Sequence, residues 1–156
     1  METNGRWAHA TSALSMHPKR SGQAIIEFAL VVPILLVLAF GVLAIGRVVQ
    51  ADMAVRAVAW EAARAGALAD SVTQATGQGL ATGLAVADDY HLNRSAVQIT
   101  VDASGYRRGG QVVAKARYVV SFGDLPLLGW ASTPVQSVHA EPVDPFRAGV
   151  PVGAQP

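Results

Sequence analysis

The stretch RSGQAIIEFALVVPILLVLAFG, residues 20–41, is apolar enough to enter a bilayer, yet it carries one carboxylate, Glu27. An acidic side chain costs about 2.5–3.5 kcal/mol at the centre of an inserting helix. Glu27 stands about one turn inside the end of the stretch, where its side chain can reach the interface at a lower cost. Two readings are therefore open: a tolerated interfacial charge, or one half of an ion pair whose cation lies at the same depth. Gly22 stands five residues earlier, shortly after the basic pair Lys19 and Arg20. If a peptidase cut after Gly22, Gln23 would carry a new amino group and Glu27 would be the fifth residue of the mature chain. In a bundle of such helices the amine of one subunit could meet the carboxylate of the next, each neutralising the other.

The element that positions these residues is a membrane span. Phe28 to Gly46 is a run of 19 residues without a formal charge, and a helix needs about 20 apolar residues to cross the hydrocarbon core. Arg6, Lys19 and Arg20 precede it, opposed only by Glu2. This basic excess favours a cytoplasmic N-terminus and an extracytoplasmic remainder. A cleaved secretory signal is the rival reading. Its apolar core is shorter and ends in a small-residue cleavage site, whereas GRVVQADMAVRAVAWEAARAGALAD continues as helix. Pro33 removes one helical amide inside the span. It is either a flexible point or a proline of the kind that membrane helices ordinarily tolerate.

Composition narrows the chemistry further. Of 156 residues, 51% are hydrophobic and 15% charged, a membrane-protein balance with room for one modest extracytoplasmic domain. A net charge of +1 gives no electrostatic case for nucleic acid, and with no cysteine there is neither a disulfide nor a thiolate metal site. His9, His17, His91 and His139 are scattered without metal-ligand spacing. Asp88 and Asp89, beside Tyr90 and His91, read as a solvated helix boundary rather than an acid/base site. No phosphate-binding loop is present, so no catalytic residue, cofactor, metal or small-molecule substrate is expected.

Beyond the span, Arg47 to Asp70 is alanine-rich and free of proline. A helix running from Gln23 to Asp70 would be about 70 Å long. Asp52 with Arg56, and Trp60 with Arg64, have the i,i+4 spacing of an ion pair and of an indole–guanidinium stack. Ala51, Ala54, Ala57, Ala59, Ala62, Ala63 and Ala65 let another helix approach closely. That helix is either a neighbouring subunit's or the chain's own second helix, with the internal partner favoured. The second helix is expected over 71–87, capped by Asp70 or Ser71, with Val72, Ala75, Gly79, Leu80, Gly83, Leu84 and Ala87 on one stripe. Its three glycines make it dependent on its packing partner.

The period then changes to two. Val97, Ile99 and Val101 share one face of a strand. GYRRGG forms a turn, and Val112, Ala114, Ala116, Tyr118, Val120 and Phe122 line a long second strand with Lys115 and Arg117 outward. A third strand around Val135–Ala140 completes a small antiparallel sheet that packs one face on the helices, giving an α+β fold. From Glu141 onward prolines and glycines predict an extended or disordered tail. The expected divisions are a basic cytoplasmic leader (1–22), a transmembrane helix (23–46), an extracytoplasmic α+β domain (47–140) and a flexible tail (141–156).

A basic leader ending in glycine, glutamate five residues on, and GQAIIEFALVVPILLVLAFGVLAIGR together resemble the N-terminus of TadE-like proteins, minor pilins or pseudopilins of the tight-adherence system that builds Flp-type (type IVb) pili. AVRAVAWEAARAGA at 54–67 is similar to the helix that follows the span in that family, and VVAKARYVVSF and TPVQSVHAEPVDPFR to its closing strands and acidic-proline tail. Residues 68–111 match in general character only. Many exported domains of the family carry a cysteine pair, which this chain lacks. The resemblance implies a pilin-like fold, processing between Gly22 and Gln23 by a separate prepilin peptidase, and an assembly role for Glu27. Its implied partners are membrane lipid, that peptidase, other pilins and the tight-adherence machinery. Some relatives act as uncut anchors, so an unprocessed single-pass binding or scaffold protein is the alternative.

Overall fold

A computed structural model describes residues 20–146, 148 and 150; expectations for the remaining leader and tail positions lie outside the described residues. Helix α1 (Arg20–Ala67) is followed by α2 (Val72–Asp89), β1 (Val97–Asp102), β2 (Gln111–Ser121) and β3 (Ser132–Pro142). The elements are those of the expected α+β architecture. By contacts the chain divides into two units between Val37 and Leu38.

In the first unit α1 is bare. Ile25, Ile26, Phe28, Leu30, Ile34 and Leu35 are all exposed, and the helix continues through Pro33 without interruption. A helix apolar all round has no amphipathic face to bury against its own domain and belongs in a membrane or among other helices.

In the second unit α1 becomes amphipathic. Ala51, Ala54, Val55, Val58, Ala59, Ala62 and Ala63 are buried, a stripe at helical spacing. Against it α2 presents Ala75, Gly79, Gly83 and Ala87, its buried residues. The expected stripe is thus narrower than its apolar residues suggested: Val72 and Leu80 are exposed. Size explains the selection. A Cβ on Gly79 would stand 2.7 Å from the carbonyl oxygen of Ala62, and one on Gly83 3.2 Å from the Ala62 Cβ. Only small residues allow this approach, so the alanine stripe of α1 has its partner inside the chain.

Both ends of α2 are set by local chemistry. Ser71 is the N-cap, its Oγ accepting the Gln74 amide at 3.3 Å, while the Gln74 Oε1 accepts the Asp70 amide at 3.2 Å, a variant of the capping box. At the other end His91 adopts φ 56°. Its amide donates to the Asp88 carbonyl, and the Leu92 amide to that of Ala87. This is a Schellman motif with histidine in the left-handed position usually held by glycine.

The three strands lie in the order β1-β2-β3, both pairs antiparallel. Val112, Ala114, Ala116, Val120 and Phe122 are buried as the alternation predicts, while Lys115 and Arg117 are exposed. The β1–β2 connection turns at Gly109, at φ +71°, a left-handed conformation that glycine adopts without the strain a side chain would bring. Tyr106 in the same connection is buried and its hydroxyl donates to the carbonyl of Ala69.

The third strand departs from expectation. It runs from Ser132 through Pro142, past the point at which an irregular tail was expected. Val143 is fully buried and exchanges backbone hydrogen bonds with Gly109 and Gly110. Prolines fit because β3 is an edge strand. Pro134 pairs with Val119 and Pro142 with Gln111, an even separation that puts both in the same phase of the ladder.

Candidate assembly site

Glu27 stands on α1 one turn beyond Gln23, whose side-chain amide donates to the Glu27 carboxylate, Nε2 to Oε1, at 3.1 Å. This is the i,i+4 contact of a helix surface. Ile26 and Phe28, on either side of Glu27 in sequence, are exposed, so an acceptor sits in an otherwise apolar stretch of helix surface. Gly22 lies in the same helix, and a Cβ there would meet nothing within 4 Å. The structure thus brings Gln23 and Glu27 together, and among the described residues no packing contact requires glycine at 22.

The two expected surface pairs of α1 are present. Arg56 Nη2 lies 2.8 Å from Asp52 Oδ2, and the Arg64 guanidinium stands 5.3 Å from the Trp60 ring centroid. Two further ion pairs carry no sequence signature. The guanidinium of Arg47 donates to both carboxylate oxygens of Asp124, at 2.5 and 2.6 Å, across 77 residues of sequence. Those hydrogen bonds hold the Asp124 carboxyl below the usual carboxylate range. Arg94 forms a second bidentate pair with Asp88, lowering the Asp88 pKa in the same way. Asp88 is therefore a paired helix-end residue and not simply a solvated one.

Among the described residues no polar or charged side chain is fully buried, and no group of three or more His, Asp or Glu could hold a metal ion. His139 meets Glu141 at 3.2 Å on the edge strand. A groove of about 490 Å³ beside it is open to solvent and lined by Trp60, Arg64, Leu68, Glu141, Pro142 and Asp144.

This is the arrangement of a single-pass anchored protein: α1 is the one described helix long and apolar enough to cross a membrane, and a small α+β unit follows it. Residues 22–64, fewer than half of the chain, match the family model described as TadE-like protein. That segment, which holds Gly22, Gln23 and Glu27, is what the chain shares with the TadE-like family. No curated protein and no solved structure matches it.

Proposed function

We propose that this chain is a minor pilin or pseudopilin that takes part in assembling Flp-type pili of the tight-adherence system, acting through membrane anchoring and helix packing. The observation that carries the reading is the TadE-like segment 22–64, whose first part exposes a run of large apolar side chains, among them Ile25, Phe28 and Ile34. Lipid satisfies that surface before assembly and neighbouring pilin helices afterwards. The basic residues before the span favour a cytoplasmic N-terminus and an extracytoplasmic α+β unit.

In this reading a prepilin peptidase, a separate enzyme, cuts between Gly22 and Gln23. Glycine is about 1 kcal/mol less favourable than alanine inside a helix, and no neighbour among the described residues excludes a side chain at Gly22. A requirement for glycine would then come from the peptidase and from the ease of unwinding the helix there. Cutting frees an α-amine on Gln23. In a bundle that amine reaches the Glu27 carboxylate of the adjacent subunit, and the pair neutralises in an apolar setting where a lone charge is costly.

The test is the intact mass and N-terminal peptide of the membrane-extracted protein from cells with and without prepilin peptidase activity. A chain beginning at Gln23 only when the peptidase is present supports the reading. A full-length chain in both leaves Glu27 without a free-amine partner and makes the protein an uncut membrane anchor.

A further inference from the structure

The loop between β2 and β3 contains LPLLGW, residues 125–130, with no charged side chain after Asp124. Leu125 is buried, but Leu127 is 69% exposed and Trp130 87% exposed. Leu127 is also held at φ 70°, a left-handed conformation disfavoured for a bulky residue. The fold thus holds a leucine in an unfavourable backbone state and still leaves its side chain uncovered.

Its position along α1 suggests what covers it. Asp124 grips Arg47 through two hydrogen bonds, and Arg47 is the residue that ends the charge-free run. Leu128 and Ala131 pack on the same apolar cluster as Phe40, Ala44 and Val48 of α1, a cluster that includes Phe122 and Leu125. Phe40 and Ala44 belong to the last two turns of the span. Phe40 to Arg47 covers about 10 Å of helix axis, comparable to the depth at which interfacial apolar groups sit in a bilayer surface. Arg47 also shares a hollow with Tyr90 and His91, and Tyr90 is half-exposed. Tryptophan and tyrosine flanking the end of a span are the side chains enriched at membrane–water interfaces, apolar in body and polar at the tip.

We infer that loop 123–131 is an interfacial membrane anchor, which seats Leu127 and Trp130 in the lipid surface on the C-terminal side of the span. The occupant is lipid because the exposed side chains lie beside the end of the apolar run of α1, and because the Arg47–Asp124 pair stands where that charge-free run stops. The inference rests on α1 crossing the membrane and is independent of processing at Gly22. The loop fixes the height of the α+β unit on the bilayer and adds to the hold that must be released before the subunit leaves it.

The test uses the full chain with Trp130 as its sole tryptophan (Trp7→Phe, Trp60→Phe), reconstituted in vesicles of phosphatidylcholine and phosphatidylglycerol. A companion variant retains Trp60 alone, which stands about 20 Å beyond Gly46 along a helix. Flotation with the vesicles first establishes the span, and circular dichroism establishes that both variants are folded. Expected is a blue-shifted Trp130 emission that is lost when the lipids carry bromine near the headgroup end of their acyl chains, with Trp60 unaffected. Trp130 emission that aqueous iodide quenches as strongly as that of Trp60, and that brominated lipid leaves intact, would overturn the inference. So would protection of Trp130 that appears only at high protein-to-lipid ratio, since the cover would then be a second copy. Failure to float would remove the span and the anchor together. In the unsubstituted chain, hydroxyl-radical labelling should mark Met53 and Trp60 strongly and Leu127 and Trp130 weakly; equal labelling of all four would also refute the anchor.

Discussion

Alanine at Gly79 should destabilise the α+β unit, whereas alanine at Gly77 should stabilise it. Both glycines lie inside α2, so each substitution gains the same helix-propensity term, about 1 kcal/mol. They differ in space. A Cβ at Gly77 meets nothing within 4 Å, while one at Gly79 would stand 2.7 Å from the Ala62 carbonyl oxygen and 3.1 and 3.2 Å from the two Val101 methyls. A backbone oxygen cannot rotate away as a side chain can, so α1 and α2 must separate by several tenths of an ångström. Overpacking of this kind costs about 1–3 kcal/mol. Because propensity cancels between the variants, their difference isolates the close approach and should be about 1–3 kcal/mol. At roughly 4 °C per kcal/mol for a unit of this size, Gly79→Ala should melt at least about 4 °C below Gly77→Ala. The assay is thermal unfolding of the detergent-solubilised chain, followed by near-ultraviolet circular dichroism. Equal melting temperatures would refute the account of the seam, because they would mean that the helices do not approach as closely as Gly79 requires.

Gly22→Ala should block removal of the leader and Glu27→Gln should impair pilus formation, both leaving membrane insertion intact; unchanged pili in both variants, read by electron microscopy, would count against the pilin reading. Asp124 has its pKa depressed by the Arg47 hydrogen bonds, so its contribution is complete above the usual carboxylate range and is lost as pH falls through the lowered value. Hydrogen-exchange protection in residues 123–131, taken relative to the intrinsic rate at each pH, should therefore fall only on acidification below that range, and Asp124→Asn should remove the acid limb. Tyr106→Phe leaves the Ala69 carbonyl without its hydroxyl donor and should cost about 1 kcal/mol, measured by urea unfolding with an unchanged denaturant slope.

Sequence alone revealed most of what repeats along the chain and little of what joins distant parts. The span, the Asp52–Arg56 and Trp60–Arg64 pairs, the Ser71 cap and the inward face of β2 are local patterns, with periods of 3.6 or 2 that a short window contains. The Arg47–Asp124 pair joins residues 77 positions apart, and no spacing rule encodes it. The second helix was legible as a stripe but not in width, because glycine and alanine were selected for closeness, and the larger residues of the same stripe were left exposed. The edge strand was underestimated because its prolines read as breakers, although an edge has an amide side that needs no partner. At the candidate site, Gln23 and Glu27 were singled out by type and spacing. The Gln23–Glu27 hydrogen bond is the ordinary consequence of their separation by four, and the loop bearing Leu127 and Trp130 passed as a connection because its location depends on the tertiary fold.

The two prolines of β3 bear on how such a chain survives before it is used. Anchoring confines every copy to a plane, where lateral encounters are far more frequent than in bulk, and a free sheet edge is a template for pairing with another chain. Pro134 and Pro142 stand near the two ends of that edge, each removing one amide donor from the row that an incoming strand would need. Should the chain be the pilus subunit proposed above, its β3 edge would then be a poor surface for copies to join, and membrane-confined copies would be kept from pairing along it.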